Sequence, residues 1–172
     1  MTKEMDTVIF DIGNVLIHFD WMGYLKSLEF DEETYEHVAN AMFRNEDWNA
    51  GDSGLVTTEE WLRLFIDNDR VYEAQIRKTF DGFGASIVPY EFTEPWIQYF
   101  REREMKIYYL SNYSEEMYRQ SKERLSFLNQ FDGGVFSWKE KCMKPDKDIY
   151  EILLSRYEIC LLYTSPSPRD CS

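Results

Sequence analysis

Thr7-Val8-Ile9-Phe10 runs directly into Asp11-Ile12-Gly13-Asn14. A short apolar, β-branched run that stops at an acidic, glycine-bearing loop reads as a buried parallel strand with polar groups at its C-terminal end. Downstream, Lys106-Ile107-Tyr108-Tyr109-Leu110 repeats the pattern and ends at Ser111-Asn112. Gly134-Val135-Phe136-Ser137 is a third, shorter run of the same kind.

Between the first and second runs, residues from about 17 to 90 contain no comparable strand and look helical. Asp31 can cap a helix through Met42, and Thr57-Thr58-Glu59-Glu60 fits a capping box ahead of Trp61, Leu62, Phe65 and Ile66 on one apolar face. The helical pattern continues from Val71 through Thr79 and breaks at Gly82-Phe83-Gly84. Glu94-Pro95 opens a helix to about Glu104, Glu115 to Leu125 is helical, and a last helix runs from Asp148 to about Tyr157. This order predicts an α/β fold, a Rossmann-like parallel sheet with an inserted α-helical cap. Residues 1–16 and 90–159 form the core and residues 17–89 the cap. Most of the cap's aromatics, Trp21, Tyr24, Phe43, Trp48, Trp61 and Phe65, are expected to form its own core.

The chain has 172 residues, of which 44% are apolar and 17% aromatic, ample for a buried core. A net charge of -13 repels phosphate backbones at long range, and with no basic patch in the sequence this argues against a nucleic-acid partner. No apolar run approaches the roughly 20 residues that span a bilayer. The opening Met1-Thr2-Lys3-Glu4-Met5 lacks the apolar stretch of a signal peptide. A cytoplasmic protein with no membrane partner is the expectation. The spacing of Cys142, Cys160 and Cys171, with only 2 His in the chain, argues against a zinc site.

From Cys160 the chain reads Cys160-Leu161-Leu162-Tyr163-Thr164-Ser165-Pro166-Ser167-Pro168-Arg169-Asp170-Cys171-Ser172, and the helical pattern stops abruptly. The string resembles the translation of a transposase-type sequencing adaptor; the other reading is a Pro/Ser-rich disordered terminus. Residues 160–172 are therefore set aside as a non-native read-through tail, with the native part expected to end near Ile159.

In open α/β sheets ligands bind beyond the C-terminal ends of the strands. Asp11 and Ser111 stand at two such ends, and Lys144 follows the third strand through a short loop. A carboxylate, a hydroxyl and an ammonium converging on one crevice suit a phosphate ester. The carboxylate attacks phosphorus, the hydroxyl donates to a phosphoryl oxygen, and the lysine offsets charge that would repel the attack. Magnesium would screen the carboxylate from the phosphate. Taken singly, Asp11 also suits a turn before Gly13, Ser111 a helix N-cap, and Lys144 a solvated loop.

The ordered set resembles the haloacid-dehalogenase superfamily. Val8-Ile9-Phe10-Asp11-Ile12-Gly13-Asn14-Val15-Leu16 is similar to its first motif, Tyr109-Leu110-Ser111-Asn112 to its second, and Lys144-Pro145-Asp146 with Ile149-Tyr150 to its third. The resemblance implies Asp11 as nucleophile and magnesium ligand and the Gly13 carbonyl as a second ligand. It also implies Ser111, Asn112 and Lys144 as phosphate-binding residues, with Lys144 catalytic as well. It further implies a cap that closes over the crevice and a small phosphorylated metabolite as substrate. Two departures stand out. Most phosphatases of the family carry, where this chain has Gly13, an aspartate that protonates the leaving group, a contribution of about 10²–10⁴-fold. The fourth motif, an acidic pair on a further strand, has no counterpart before Ile159, so the last strands of the sheet are expected to be missing. The D-x-G-N-V form resembles a subgroup that includes sugar-phosphate phosphatases, for which an anomeric or aryl leaving group would suffer least. A hydrolytic haloacid dehalogenase using the same aspartate, or a non-catalytic binding protein on the same fold, are the alternatives.

Overall fold

The computed structural model describes residues 6–161, so the string read as non-native lies outside the described residues from position 162 onward. The strands are β1 (Thr7–Phe10), β2 (Ile17–Phe19), β3 (Ile87–Pro89), β4 (Lys106–Ser111) and β5 (Gly133–Phe136). Between β2 and β3 lie α1 (Trp21–Ser27), α2 (Glu32–Ala41), α3 (Trp48–Ser53), α4 (Thr58–Asn68) and α5 (Glu73–Gly82). After β3 come α6 (Thr93–Arg101), α7 (Glu115–Ser121), α8 (Ser137–Glu140) and α9 (Lys147–Arg156).

β1, β4 and β5 form a parallel sheet in the order β1-β4-β5, with Val8 opposite Ile107 and Leu110 opposite Val135. The period-2 alternation of a strand is plain in β4. Ile107 and Tyr109 join the larger apolar cluster with Phe10 and Ile97, whereas Tyr108 and Leu110 join Val135, Ile149 and Leu153 of α9 on the opposite face. Helices thus cover both faces, the arrangement that parallel strands require. β1 is parallel, as its sequence suggests, but among the described residues it is an edge strand and Ile9 is 39% exposed.

The stretch 17–89 is not wholly helical. β2 and β3 pair antiparallel, Ile17 opposite Pro89 and Phe19 opposite Ile87, and close the base of the helical layer. Each strand has three residues, too few for alternation to register against the 4–8 residues that make a strand readable. Helix starts follow the sequence more closely. Asp31 accepts from the Thr34 amide at 2.7 Å, and Thr57 and Glu60 form the reciprocal capping box. α7 ends at Ser121 rather than Leu125, and the chain then turns to bury Phe127.

Inside the helical layer, Trp61 and Phe65 of α4, Phe80 of α5 and Phe83 are buried, and Trp48 of α3 packs against Trp61, Phe65 and Phe83. This aromatic cluster is continuous with the apolar face of the sheet through Ile12, Leu16, Ile87 and Met117. Truncating a residue such as Trp61 to alanine costs about 3–5 kcal/mol. No helix among the described residues is long and apolar enough to cross a membrane.

Candidate active site at the C-terminal ends of the strands

The chain leaves β1 through a tight loop. The amides of Val15, Leu16 and Ile17 converge on the Ile12 carbonyl at 3.2, 2.9 and 3.2 Å, and fully buried Ile12 and Leu16 anchor its two sides. Asn14 takes a left-handed φ of 56°, which a short amide side chain tolerates. Asp11 is left at the loop's mouth, its side chain 43% exposed. One carboxylate oxygen accepts from the Ile12 amide at 2.7 Å, and the other is 2.9 Å from the Lys144 ammonium.

Lys144 is held at its backbone. The Asn112 side chain accepts from the Lys144 amide at 2.9 Å and donates to the Lys144 carbonyl at 3.1 Å. Asn112, read from sequence as a phosphate contact, thus has both ends of its amide engaged by this loop. Ser111, the last residue of β4, is only 1% exposed, and its hydroxyl donates to the Asn112 carbonyl at 3.3 Å. Asp11, Gly13, Asn112 and Lys144 line one cavity of about 230 Å³, and Ser111 is not among its lining residues.

The same cavity has walls that the sequence pattern did not single out. Ser114 lines it while capping α7, its hydroxyl accepting from the Met117 amide at 3.2 Å. Tyr113 lines it too, and burial pushes its phenol well above the usual range despite a hydrogen bond with Ser121 at 2.7 Å. From the helical layer come Trp48 and Asp52 of α3. Burial pushes the Asp52 carboxyl up to about 7. Asp-Ser-Gly at 52–54 reads locally as a helix end, so only its burial beside the strand ends marks Asp52 out.

Among the described residues no group of three His, Cys, Asp or Glu side chains could hold a metal ion. The donors at the loop's mouth are hard oxygens, the Asp11 carboxylate and the backbone of Gly13. Magnesium binds through one or two carboxylates and takes its other oxygens from phosphate and water, so the set fits magnesium in kind. Zinc sites are built chiefly on Cys and His, and neither is among the residues lining this cavity.

The family of haloacid dehalogenase-like hydrolases matches residues 5–164. A HAD family enzyme from Bacteroides thetaiotaomicron, solved in complex with magnesium and inorganic phosphate, is similar with a TM-score of 0.63 and 17% identity, over 91% of this chain and 80% of that one. A predicted HAD-like family hydrolase from Porphyromonas gingivalis is similar with a TM-score of 0.66 and 16% identity, over 91% and 78%. An L-2-haloacid dehalogenase from Xanthobacter autotrophicus is similar with a TM-score of 0.59 and 13% identity, over 91% and 66%. The curated proteins give no match.

Proposed function

This chain belongs to the haloacid dehalogenase-like hydrolases, and from that premise we propose that it is a magnesium-dependent phosphomonoester hydrolase of the D-x-G-N-V subgroup, acting on a small phosphorylated metabolite through an aspartyl-phosphate at Asp11. The observation that carries this reading is the Asp11–Lys144 pair at 2.9 Å, lining a cavity beyond the strand ends. A carboxylate that must attack an anionic phosphoryl group needs a cation beside it, and Lys144 is held there by its backbone rather than by a flexible stem alone. The complex of the similar Bacteroides enzyme with magnesium and inorganic phosphate supports the same chemistry.

Asp11 attacks phosphorus with the oxygen that otherwise faces Lys144, while the Ile12 amide keeps the other oxygen oriented. Lys144 then passes from the carboxylate to the phosphoryl oxygens as charge moves onto them. Asn112 acts chiefly by fixing Lys144, and buried Ser111 donates to the Asn112 carbonyl at the end of β4. Asp11 and the Gly13 carbonyl are the groups that would hold magnesium, whose charge would offset that of the incoming phosphate. Residues 17–89 form the cap over the crevice, and the small cavity suits a compact ester better than a polymer.

The test is turnover of an aryl phosphate by the full-length protein with magnesium, compared with Asp11→Asn. Loss of turnover in a variant whose circular dichroism and melting are unchanged is expected. Residual activity within tenfold of wild type would remove Asp11 from the chemistry. Halide release from a 2-haloacid without phosphate release would replace the phosphatase by a dehalogenase.

A further inference from the structure

The cavity holds a second carboxyl group that the reading above does not use. Asp52 comes from α3, far from Asp11 in sequence, yet lines the same cavity as Asp11, Asn112 and Lys144. Its helix is fixed in place on several sides. A Cβ at Gly51 would lie 2.4 Å from the Trp61 ring, so the α3 backbone rests directly on that indole. Gly54, at a φ of +68°, presses against the Trp138 carbonyl, where a Cβ would come within 2.1 Å. The Asp52 carbonyl accepts from the Ser137 hydroxyl at 2.6 Å, and the same hydroxyl accepts from the Tyr113 amide at 3.0 Å. Ser137 therefore bolts α3 to the segment that follows β4, two residues beyond Ser111.

We propose that the Asp52 carboxyl is the proton donor of the reaction, protonating the leaving-group oxygen as Asp11 takes the phosphoryl group. This rests on the phosphatase reading, and it supplies the acid that Gly13 does not. In the first step an Asp11 oxygen bonds to phosphorus and the bond from phosphorus to the ester oxygen breaks. The electron pair stays on the ester oxygen, which takes the Asp52 proton and leaves as an alcohol. In the second step water bonds to phosphorus, the bond from phosphorus to Asp11 breaks, and the water's proton returns to Asp52. The net change is ester plus water to alcohol plus inorganic phosphate, with both carboxyl groups restored.

The protonation state that this requires is the one that burial favours, since the Asp52 carboxyl is pushed up to about 7. A general acid works best with a pKa near the working pH. Burial is the cause of that shift, and among the described residues no salt bridge to Asp52 offsets it. α7 brings Tyr113's neighbours Glu115 and Glu116, and Glu116 is paired with Arg119 at 2.5 Å. On α4, Glu60 is engaged in its capping box. On α8, Lys139 lies over Trp138 and Tyr118, and Glu140 pairs with Arg156 at 2.6 Å. Across the cavity, Lys144 faces Asp11.

The experiment compares wild type, Asp52→Asn and Asp52→Glu in the full-length protein on two substrates, p-nitrophenyl phosphate and a primary alkyl phosphate. The nitrophenolate leaves without help, whereas an alkoxide needs the proton. Asp52→Asn is expected to lower kcat on the alkyl ester by about 10²–10⁴-fold and on the aryl ester by less than about tenfold. The alkaline limb of the alkyl kcat–pH profile, centred near 7 in wild type, is expected to vanish, and Asp52→Glu to restore part of the alkyl rate. Carbon-13 NMR of the wild-type carboxyl groups, which needs no variant, is expected to show Asp52 titrating near 7. A midpoint near 4, or equal losses on both esters in a folded variant, would overturn the assignment. A wild type that hydrolyses neither ester would instead remove the phosphatase reading, and the donor with it.

Discussion

Replacing Asp52 by asparagine should make the fold more stable, and by an amount that depends on pH. In the folded chain burial raises the carboxyl from 3.8 to about 7. Between those values the unfolded chain has released the proton and the folded chain still holds it, so stability falls as pH rises and levels off above about 7. Each pKa unit corresponds to about 1.4 kcal/mol, so the ionised carboxylate costs the native state roughly 4 kcal/mol at most. The side chain opens on one flank to the cavity, where water screens it, and half of that figure is a reasonable floor. Asparagine keeps the shape and the hydrogen-bonding capacity and cannot ionise. Other titrating groups are shared by both proteins and cancel in the difference. Urea unfolding of wild type and Asp52→Asn at intervals from pH 5 to pH 9, with m-values compared, reads this directly. The variant's advantage should grow by about 1–3 kcal/mol across that range, most of it between pH 5 and pH 7.5, the remainder having accrued below pH 5. A difference that stays flat with pH would show that Asp52 ionises normally and would refute the burial argument.

Three further outcomes follow from the geometry. Asn112→Ala removes both hydrogen bonds to the Lys144 backbone and should destabilise the fold by about 1–3 kcal/mol. It should lower kcat more than it raises KM in steady-state assays, because the Lys144 loop loses its register. Gly51→Ala drives a methyl into the Trp61 ring and should cost about 1–3 kcal/mol in thermal or urea unfolding; an unchanged melt would mean that α3 is not held on that indole. Gly13→Asp in the Asp52→Asn background should recover turnover of alkyl esters, since a Cβ at Gly13 meets nothing within 4 Å. A double mutant as slow as Asp52→Asn alone would show that acid from this loop cannot reach the leaving group.

The parallel sheet was legible because its strands, though only four to six residues long, are apolar runs that end beside polar residues, and β1, β4 and β5 fall where those runs lie. Capping chemistry likewise fixed the starts of α2 and α4, where Asp31 and Thr57 do what their side chains favour. β2 and β3 escaped because pairing, not periodicity, makes them strands: Ile17 and Ile87 are buried, but three residues cannot state a period. At the site, Asp11 and Lys144 were legible from position relative to the strands, and they meet at 2.9 Å. Asn112 was legible as a residue of the site but not in what its amide binds, because the loop that occupies it lies 32 residues away in sequence.

Asp52 could not be found that way, and the reason bears on the chemistry. On the phosphatase reading the nucleophile sits at a strand end, where ligands of open α/β sheets bind and where local sequence announces it. A proton donor needs only to reach the departing oxygen with its proton in place, and both conditions are set by the surroundings. Here they are set by the closeness of Gly51 to Trp61 and of Gly54 to Trp138, and by burial of the carboxyl between the helical layer and the strand ends. Splitting the two carboxyl groups between two segments of the chain also ties proton transfer to the packing of one on the other. If Asp11 attacks and Asp52 donates, the leaving group must lie between them in a space of about 230 Å³, below the roughly 300–1,000 Å³ of pockets for drug-sized ligands. On the phosphatase reading, an ester whose alcohol portion overfills that space would force α3 away from the strand ends. It would then withdraw the proton that its own departure requires, so selection for small substrates and protonation of the leaving group become a single geometric condition.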